Sequence, residues 1–109
     1  MNAFEDREKA FEDKFKYDQD LLFRIASRRA RLIGLWAAER LGITGDGAEA
    51  YAQEVVAADL DEPGHADIIR KLQADFKAKS IEISDHRITR ELARLWEVAR
   101  EQVAPGTPV

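Results

Sequence analysis

The first 41 residues of the chain contain no proline and a single glycine, Gly34. Proline breaks a helix interior and glycine weakens it, whereas this stretch is rich in Ala, Leu, Glu, Lys and Arg, which favour helix. The pattern therefore predicts one long helix from Ala3 to Leu41, with Gly42 as its C-terminal stop. A break near Asp18–Asp20 is the alternative, because Asp is a weak residue inside helices.

The two halves of this helix carry different apolar patterns. In the first half, Phe4, Phe11 and Phe15 fall on one line along a helix, and Leu22 extends that line. So narrow a stripe on a highly charged helix suits a groove on another protein better than an intramolecular core. From Leu21 onward the apolar face is broad, which predicts packing in a core. Its members are Leu22, Ile25, Ala26, Leu32, Ile33, Trp36 and Ala37.

Three further helices are predicted at about 46–58, 65–79 and 85–103, joined by short connections. Ser84 or Asp85 can cap the last one, and Trp36 and Trp96 lie on apolar faces that should pack in the core. The fold class is therefore all-α: a four-helix bundle with a long N-terminal helix whose first half is a protruding or flexible arm. The expected division is an arm over 1–20, a globular domain over 21–103, and a disordered tail over 104–109.

Charge is unevenly distributed along the chain. Residues 1–20 have a net charge of −3, residues 21–42 of +4, and residues 43–109 of −5. The total of −4 argues against a dedicated nucleic-acid binder. No run approaches the roughly 20 apolar residues that span a bilayer, and the acidic N-terminus is unlike a targeting peptide. We therefore expect a cytoplasmic protein that does not insert directly into a membrane.

No group of residues indicates catalysis or metal binding. His65 and His86 are the only histidines and lack the close spacing of a metal-binding pair. Ser27 has no histidine near it in the sequence, and the absence of cysteine excludes disulfides and thiolate chemistry. We expect a protein that is not an enzyme and needs no cofactor or metal.

A weaker hypothesis concerns the glycine-rich turn over 42–47, which opens a helix. Helix N-termini can bind anions, and the preceding segment is rich in arginine. The candidate residues for a nucleotide or anion site are Arg28, Arg29, Gly45 and Gly47. The alternative function is thus a small helical bundle that weakly binds adenine nucleotide and acts in regulation or sensing. Asp46 would repel a phosphate here, so a simple turn between helices is the competing interpretation.

Three blocks of sequence are distinctive: DREKAFEDKF at 6–15, LIGLWAAERLG at 32–42, and DEPGH followed by ADIIRK at 61–71. With them, the chain resembles the zeta-subunit family of alphaproteobacterial F-type ATPases over about residues 3–102. The resemblance implies a four-helix fold and a non-catalytic inhibitor of ATP hydrolysis, peripheral to the inner membrane through the ATP synthase. It also implies that the N-terminal segment inserts between an alpha and a beta subunit and reaches toward the gamma subunit of the central stalk.

The resemblance and the apolar stripe together predict a partner-binding surface on the arm. Its phenylalanines would supply buried contact, and its charged residues would set the register through ion pairs. The predicted residues are Phe4, Arg7, Glu8, Phe11, Glu12, Lys14 and Phe15. We expect the protein to be monomeric when free.

Overall fold

The structure, a computed structural model, describes residues 3–59 and 65–103, without the side chains of residues 3–6, 11 and 15. Within these ranges the chain forms four helices and no strand, which confirms the all-α prediction. The helices are α1 (Ala3–Leu41), α2 (Asp46–Asp59), α3 (Ala66–Ala78) and α4 (Asp85–Gln102). The first helix is continuous, without the alternative break at Asp18–Asp20. The predicted turn at 60–64 and tail at 104–109 lie outside the described residues.

Two of the predicted helix boundaries depend on specific local geometry. Gly42 follows α1 with a φ of +78°, in the left-handed region that glycine enters without a steric penalty. Ser84 precedes α4, and its hydroxyl accepts a hydrogen bond from the Arg87 backbone N–H at 3.1 Å. The sequence signals for these two ends are therefore confirmed.

The core is built from all four helices and begins at Ile25 of α1, which is 3% exposed. The largest fully buried side chains are Phe76, Ile33, Ile68, Leu72, Ile88, Leu92, Val55 and Val103. A smaller cluster of Ile25, Ala99 and Val103 joins the middle of α1 to the C-terminal end of α4. The core thus involves only the second half of α1, as its broad apolar face predicted.

The tryptophans pack at the edge of the core rather than in its interior. Trp36 meets Phe76 edge-on, with ring centroids 6.3 Å apart, while the Arg40 guanidinium lies 4.1 Å from the Trp36 ring centroid. Trp96 packs against the smaller cluster, and Arg29 lies 5.1 Å from its ring centroid. Each ring therefore presents one side to the core and another to a guanidinium, a favourable cation–π arrangement.

Gly34 allows α1 and α2 to pack closely. A Cβ atom added at Gly34 would lie 2.7 Å from Ala52 Cα and 3.3 Å from Val55 Cβ. Carbon atoms that are not bonded prefer a separation of about 3.5–4.0 Å, so no side chain fits between these backbones. The missing side chain at this position is thus a requirement of the packing of α2 on α1.

Polar contacts fix the helices relative to one another around this core. Tyr51 of α2 donates its hydroxyl to Asp75 of α3 at 2.7 Å, and Lys71 bonds to the same carboxylate at 3.1 Å. Burial, reinforced by the bond to Asp75, raises the pKa of Tyr51 above its usual range, so it stays a neutral donor. Arg31 of α1 donates two hydrogen bonds to Glu49 of α2, at 2.9 and 2.8 Å.

Asp59, the last residue of α2, lies in a partly buried charged environment. Burial raises the pKa of its carboxyl above the usual range, the positive charge of Arg29 opposes that rise, and Asp67 adds to it. Burial also lowers the pKa of Arg29, whose Nε has no hydrogen-bond partner among the described residues. Holding Asp59 ionised therefore costs more in desolvation than the attraction of Arg29 returns.

Replacing Gly34 with alanine should destabilise the bundle. The new methyl group would collide with the Ala52 backbone, and overpacking of this kind costs about 1–3 kcal/mol. Alanine is the better helix former by about 1 kcal/mol, so a gain in stability is the expectation without the collision. Chemical denaturation measures the free energy of unfolding. Gly47→Ala is the control, because its Cβ would meet only the Ile43 side chain; equal effects of the two changes would contradict the close contact.

Asp59→Asn should stabilise the protein near neutral pH. A carboxyl whose pKa is higher in the folded protein than in the unfolded chain binds protons more tightly when folded, so wild-type stability falls as the pH rises through that pKa. Asparagine removes this loss of stability. The stability advantage of Asp59→Asn over wild type should therefore shrink as the pH falls towards about 4, the ordinary range for an aspartate pKa. Thermal unfolding at several pH values measures the difference in Tm.

The matched control for Asp59→Asn is Glu49→Gln. Hydrogen bonds from Arg31, and then from Gln53, lower the pKa of Glu49, so its contribution is present at neutral pH and is lost as the pH falls through that lowered pKa. Glu49→Gln should therefore lower Tm near neutral pH, the opposite sign to Asp59→Asn. A lower Tm for both variants at neutral pH would mean that Asp59 is stabilised in its charged form.

Candidate functional site

The N-terminal half of α1 projects beyond the other helices. At about 1.5 Å per residue, the 39 residues of α1 extend about 58 Å, whereas the 18 residues of α4 extend about 27 Å. The molecule measures 64 × 25 × 21 Å, so its long dimension is that of α1. We call residues 1–20 the arm. Every described side chain from Arg7 to Asp20 is exposed.

The residues predicted to bind a partner lie on this arm. Arg7, Glu8, Glu12 and Lys14 are all exposed. The backbones of Phe4, Phe11 and Phe15 belong to α1, which places these positions on one line of the helix, but their side chains lie outside the described residues. Within the described part of the chain, no ion pair involves an arm residue, so the described charges of the arm take no part in holding the fold together.

At the base of the arm, one prediction about the core is wrong. Leu22 was predicted to belong to the buried face, yet it is 48% exposed, and the neighbouring Phe23 is 60% exposed. The reason is the position of Leu22 around the helix: Leu21, about 100° away, packs with Ile25 in the cluster that ends at Val103, and Leu22 lies to one side of that contact. Phe23 was not among the predicted surface or core residues. Its position off the core-facing stripe of α1 is the sequence signal that would have predicted its exposure.

The arginines of residues 21–42 divide into two groups. Arg29 lies against Trp96, Arg31 pairs with Glu49, and Arg40 stacks on Trp36. Arg24 and Arg28 form no ion pair, hydrogen bond or ring contact with the residues that the structure describes. The basic segment is therefore partly structural, and only Arg24 and Arg28 keep their charges available.

The four residues of the candidate anion site are not brought together. Arg29 interacts with Asp59 at the last residue of α2, and Arg28 lies beside Val56 in the same part of that helix. Gly45 and Gly47 lie at the opposite end of α2, which is about 21 Å long. The arginines and the glycine-rich turn thus face different ends of the bundle.

The described residues offer little support for other kinds of site. They contain no cluster of three or more His, Asp or Glu side chains arranged to hold a metal ion. His65 precedes α3, and His86 lies in the first turn of α4. Among the helices that the structure describes, none combines the length and the apolar character that crossing a membrane requires.

Comparisons with known proteins agree with the architecture. One solved structure, determined by solution NMR, is 42% identical to the chain with a TM-score of 0.66, and the match covers 74% of this chain and 92% of that one. No curated protein matches the chain. Among protein families, the one described as ATPase inhibitor subunit zeta matches residues 1–102. Since that match extends over nearly the whole length, the chain belongs to the ATPase inhibitor subunit zeta family.

Proposed function

We propose that this protein inhibits ATP hydrolysis by an F-type ATP synthase, and that its arm inserts at an interface between an alpha and a beta subunit of the catalytic head. In this proposal the globular domain, residues 21–103, stays outside. The observation that carries it is the contrast within α1: one continuous helix is buried in the bundle from Ile25 onward and exposed on every described side chain from Arg7 to Asp20.

In this proposal, the stripe of Phe4, Phe11 and Phe15 supplies most of the binding energy. Full burial of a phenylalanine side chain contributes about 1.5–3 kcal/mol, so three of them give binding energy that the charged face alone would not provide. The arm continues a helix that the bundle already holds, which reduces the ordering cost of binding. Arg7, Glu8, Glu12 and Lys14 would set the register through complementary charges.

Inhibition follows from differential affinity. A catalytic interface in a rotary ATPase passes through open and closed forms, and a helix that binds one form more tightly shifts the enzyme toward that form. Rotation then stalls, and an arm that reaches the gamma subunit would oppose it directly. The protein acts in this proposal as a monomeric, non-catalytic subunit in the cytoplasm, peripheral to the inner membrane through the synthase.

The direct test compares the full chain with a variant that lacks residues 1–19, in an ATP hydrolysis assay with the cognate catalytic head. We expect the full chain to inhibit and the truncated protein to have no effect. Circular dichroism should show that the truncated protein is still helical, since the core begins at Ile25. Equal inhibition by both proteins would exclude the arm as the inhibitory element.

A finer test addresses the stripe itself. Replacing both Phe11 and Phe15 with alanine should raise the half-inhibitory concentration by roughly 100-fold or more, from the lost apolar burial. Tyr17→Ala is the matched control: Tyr17 is 52% exposed and lies two residues from Phe15, about 200° around the helix. A comparable loss with Tyr17→Ala would mean that inhibition does not depend on the phenylalanine face.

A further inference from the structure

The base of the arm carries an exposed surface that the fold does not use. It consists of the exposed Leu22, Phe23 and Arg24 and the half-buried Arg28, which we call the collar. Leu22 and Phe23 are two large apolar side chains at neighbouring positions, 48% and 60% exposed. Exposed apolar surface that extends over several residues is typical of interaction sites, and Leu22 continues the line of Phe4, Phe11 and Phe15 along the helix.

The two charges of the collar also have no partner among the residues that the structure describes. Seven other arginines of the bundle pair with a carboxylate or lie against an aromatic ring. These are Arg29, Arg31, Arg40, Arg70, Arg87, Arg94 and Arg100. Arg24 and Arg28 make no such contact with the described residues, and no described carboxylate lies within ion-pair distance of either. Two free positive charges next to an apolar pair favour an acidic protein surface that also has an apolar socket.

The geometry of α1 places the collar against whatever binds the arm. Leu22 follows Phe15 by seven residues, about 10 Å along a helix that has no break. A single helix is about 10–12 Å wide, but the bundle measures 25 × 21 Å across. A groove that admits the arm would therefore stop the bundle at its mouth, where the collar meets the rim.

The collar extends around α1 except on the side where Leu21 and Ile25 pack against the bundle. At 100° per residue, Phe23 lies about 100° from Leu22, and Arg24 lies about 200° from it. A second copy of α1 would touch one side of the helix, whereas the mouth of a groove contacts several sides at once. We propose that the collar is a second docking surface for the same catalytic head, fitted to an acidic rim with an apolar socket. This inference rests on the proposed insertion of the arm.

The test measures both inhibition and direct binding to the cognate catalytic head, for two collar variants of the full chain. Arg24→Glu with Arg28→Glu should weaken both by about 10-fold or more at low salt, with a smaller effect at high salt because salt screens exposed charges. Leu22→Ser with Phe23→Ser should weaken both by about 10-fold, with little dependence on salt. Maximal inhibition at saturating concentration should stay unchanged, since the arm is intact.

The matched control for the charge change is Lys77→Glu with Arg90→Glu. Both side chains are exposed and without a described partner, and they lie toward the far end of the bundle, where Lys79 donates to the Leu41 carbonyl at 2.7 Å. The control should bind and inhibit like the wild type. Equal losses in the control and the charge-reversed collar would indicate a general effect of net charge and would overturn the collar.

The remaining outcomes separate the collar from the arm. Loss of binding on deletion of 1–19, with wild-type behaviour of both collar variants, would overturn the collar and leave the proposed function intact. Wild-type binding after deletion of 1–19 and in both collar variants would overturn the collar and the proposed function together. Sedimentation of the free proteins tests the competing occupant: collar variants that reduce self-association, and leave inhibition as it was, would assign the surface to a second copy. Thermal unfolding should match wild type for each variant, because the collar lies outside the core.

Discussion

The close packing of α1 on α2 at Gly34 is the contact on which the rest of the structure depends. The backbone of α2 comes so near at Ala52 that even a methyl group on Gly34 would collide with it. This fixes α2 along the second half of α1, and the Tyr51–Asp75 hydrogen bond then fixes α3 on α2. With α4 closing the core as far as Val103, the other three helices bury α1 only from Ile25 onward. The exposure of the arm is therefore a consequence of where its neighbours end.

A single helix thus serves two purposes in this protein. Its second half supplies Ile33 and a set of fully buried alanines to the core, and its first half extends the same rigid element into solvent. An isolated amphipathic peptide would lose conformational entropy on binding, whereas an arm anchored in a folded domain has less to lose. The bundle also has the width to limit insertion, which links the proposed inhibitory arm to the collar at its base.

The bundle and the arm use their charged side chains differently. Within the bundle, most arginines lie against aromatic rings or pair with carboxylates, as Arg29 does with Trp96 and Arg31 with Glu49. On the arm, the described charges make no pairs with one another and are available to a partner. Exposed ion pairs contribute little to stability, so leaving these charges unpaired costs the fold little; in the proposed complex they would set register and selectivity.

The sequence by itself determined the helices and the family. Proline is absent from the first 41 residues, Gly42 and Ser84 mark helix ends, and apolar residues recur at helical spacing; these are local signals, so the predicted boundaries are close to those observed. Only the tertiary structure decided which side of each helix contacts a neighbouring helix, and how far along the helix that contact extends. Periodicity assigned Leu22 to the core, but Leu21 and Ile25 occupy the side of α1 that packs against Ala99 and Val103, which leaves Leu22 half exposed. The tertiary structure also decided that Arg28 and Arg29 lie far from Gly45 and Gly47. The arginines of α1 pack beside one end of α2, and the glycines lie at its other end, because helix packing and not composition sets the distance between them.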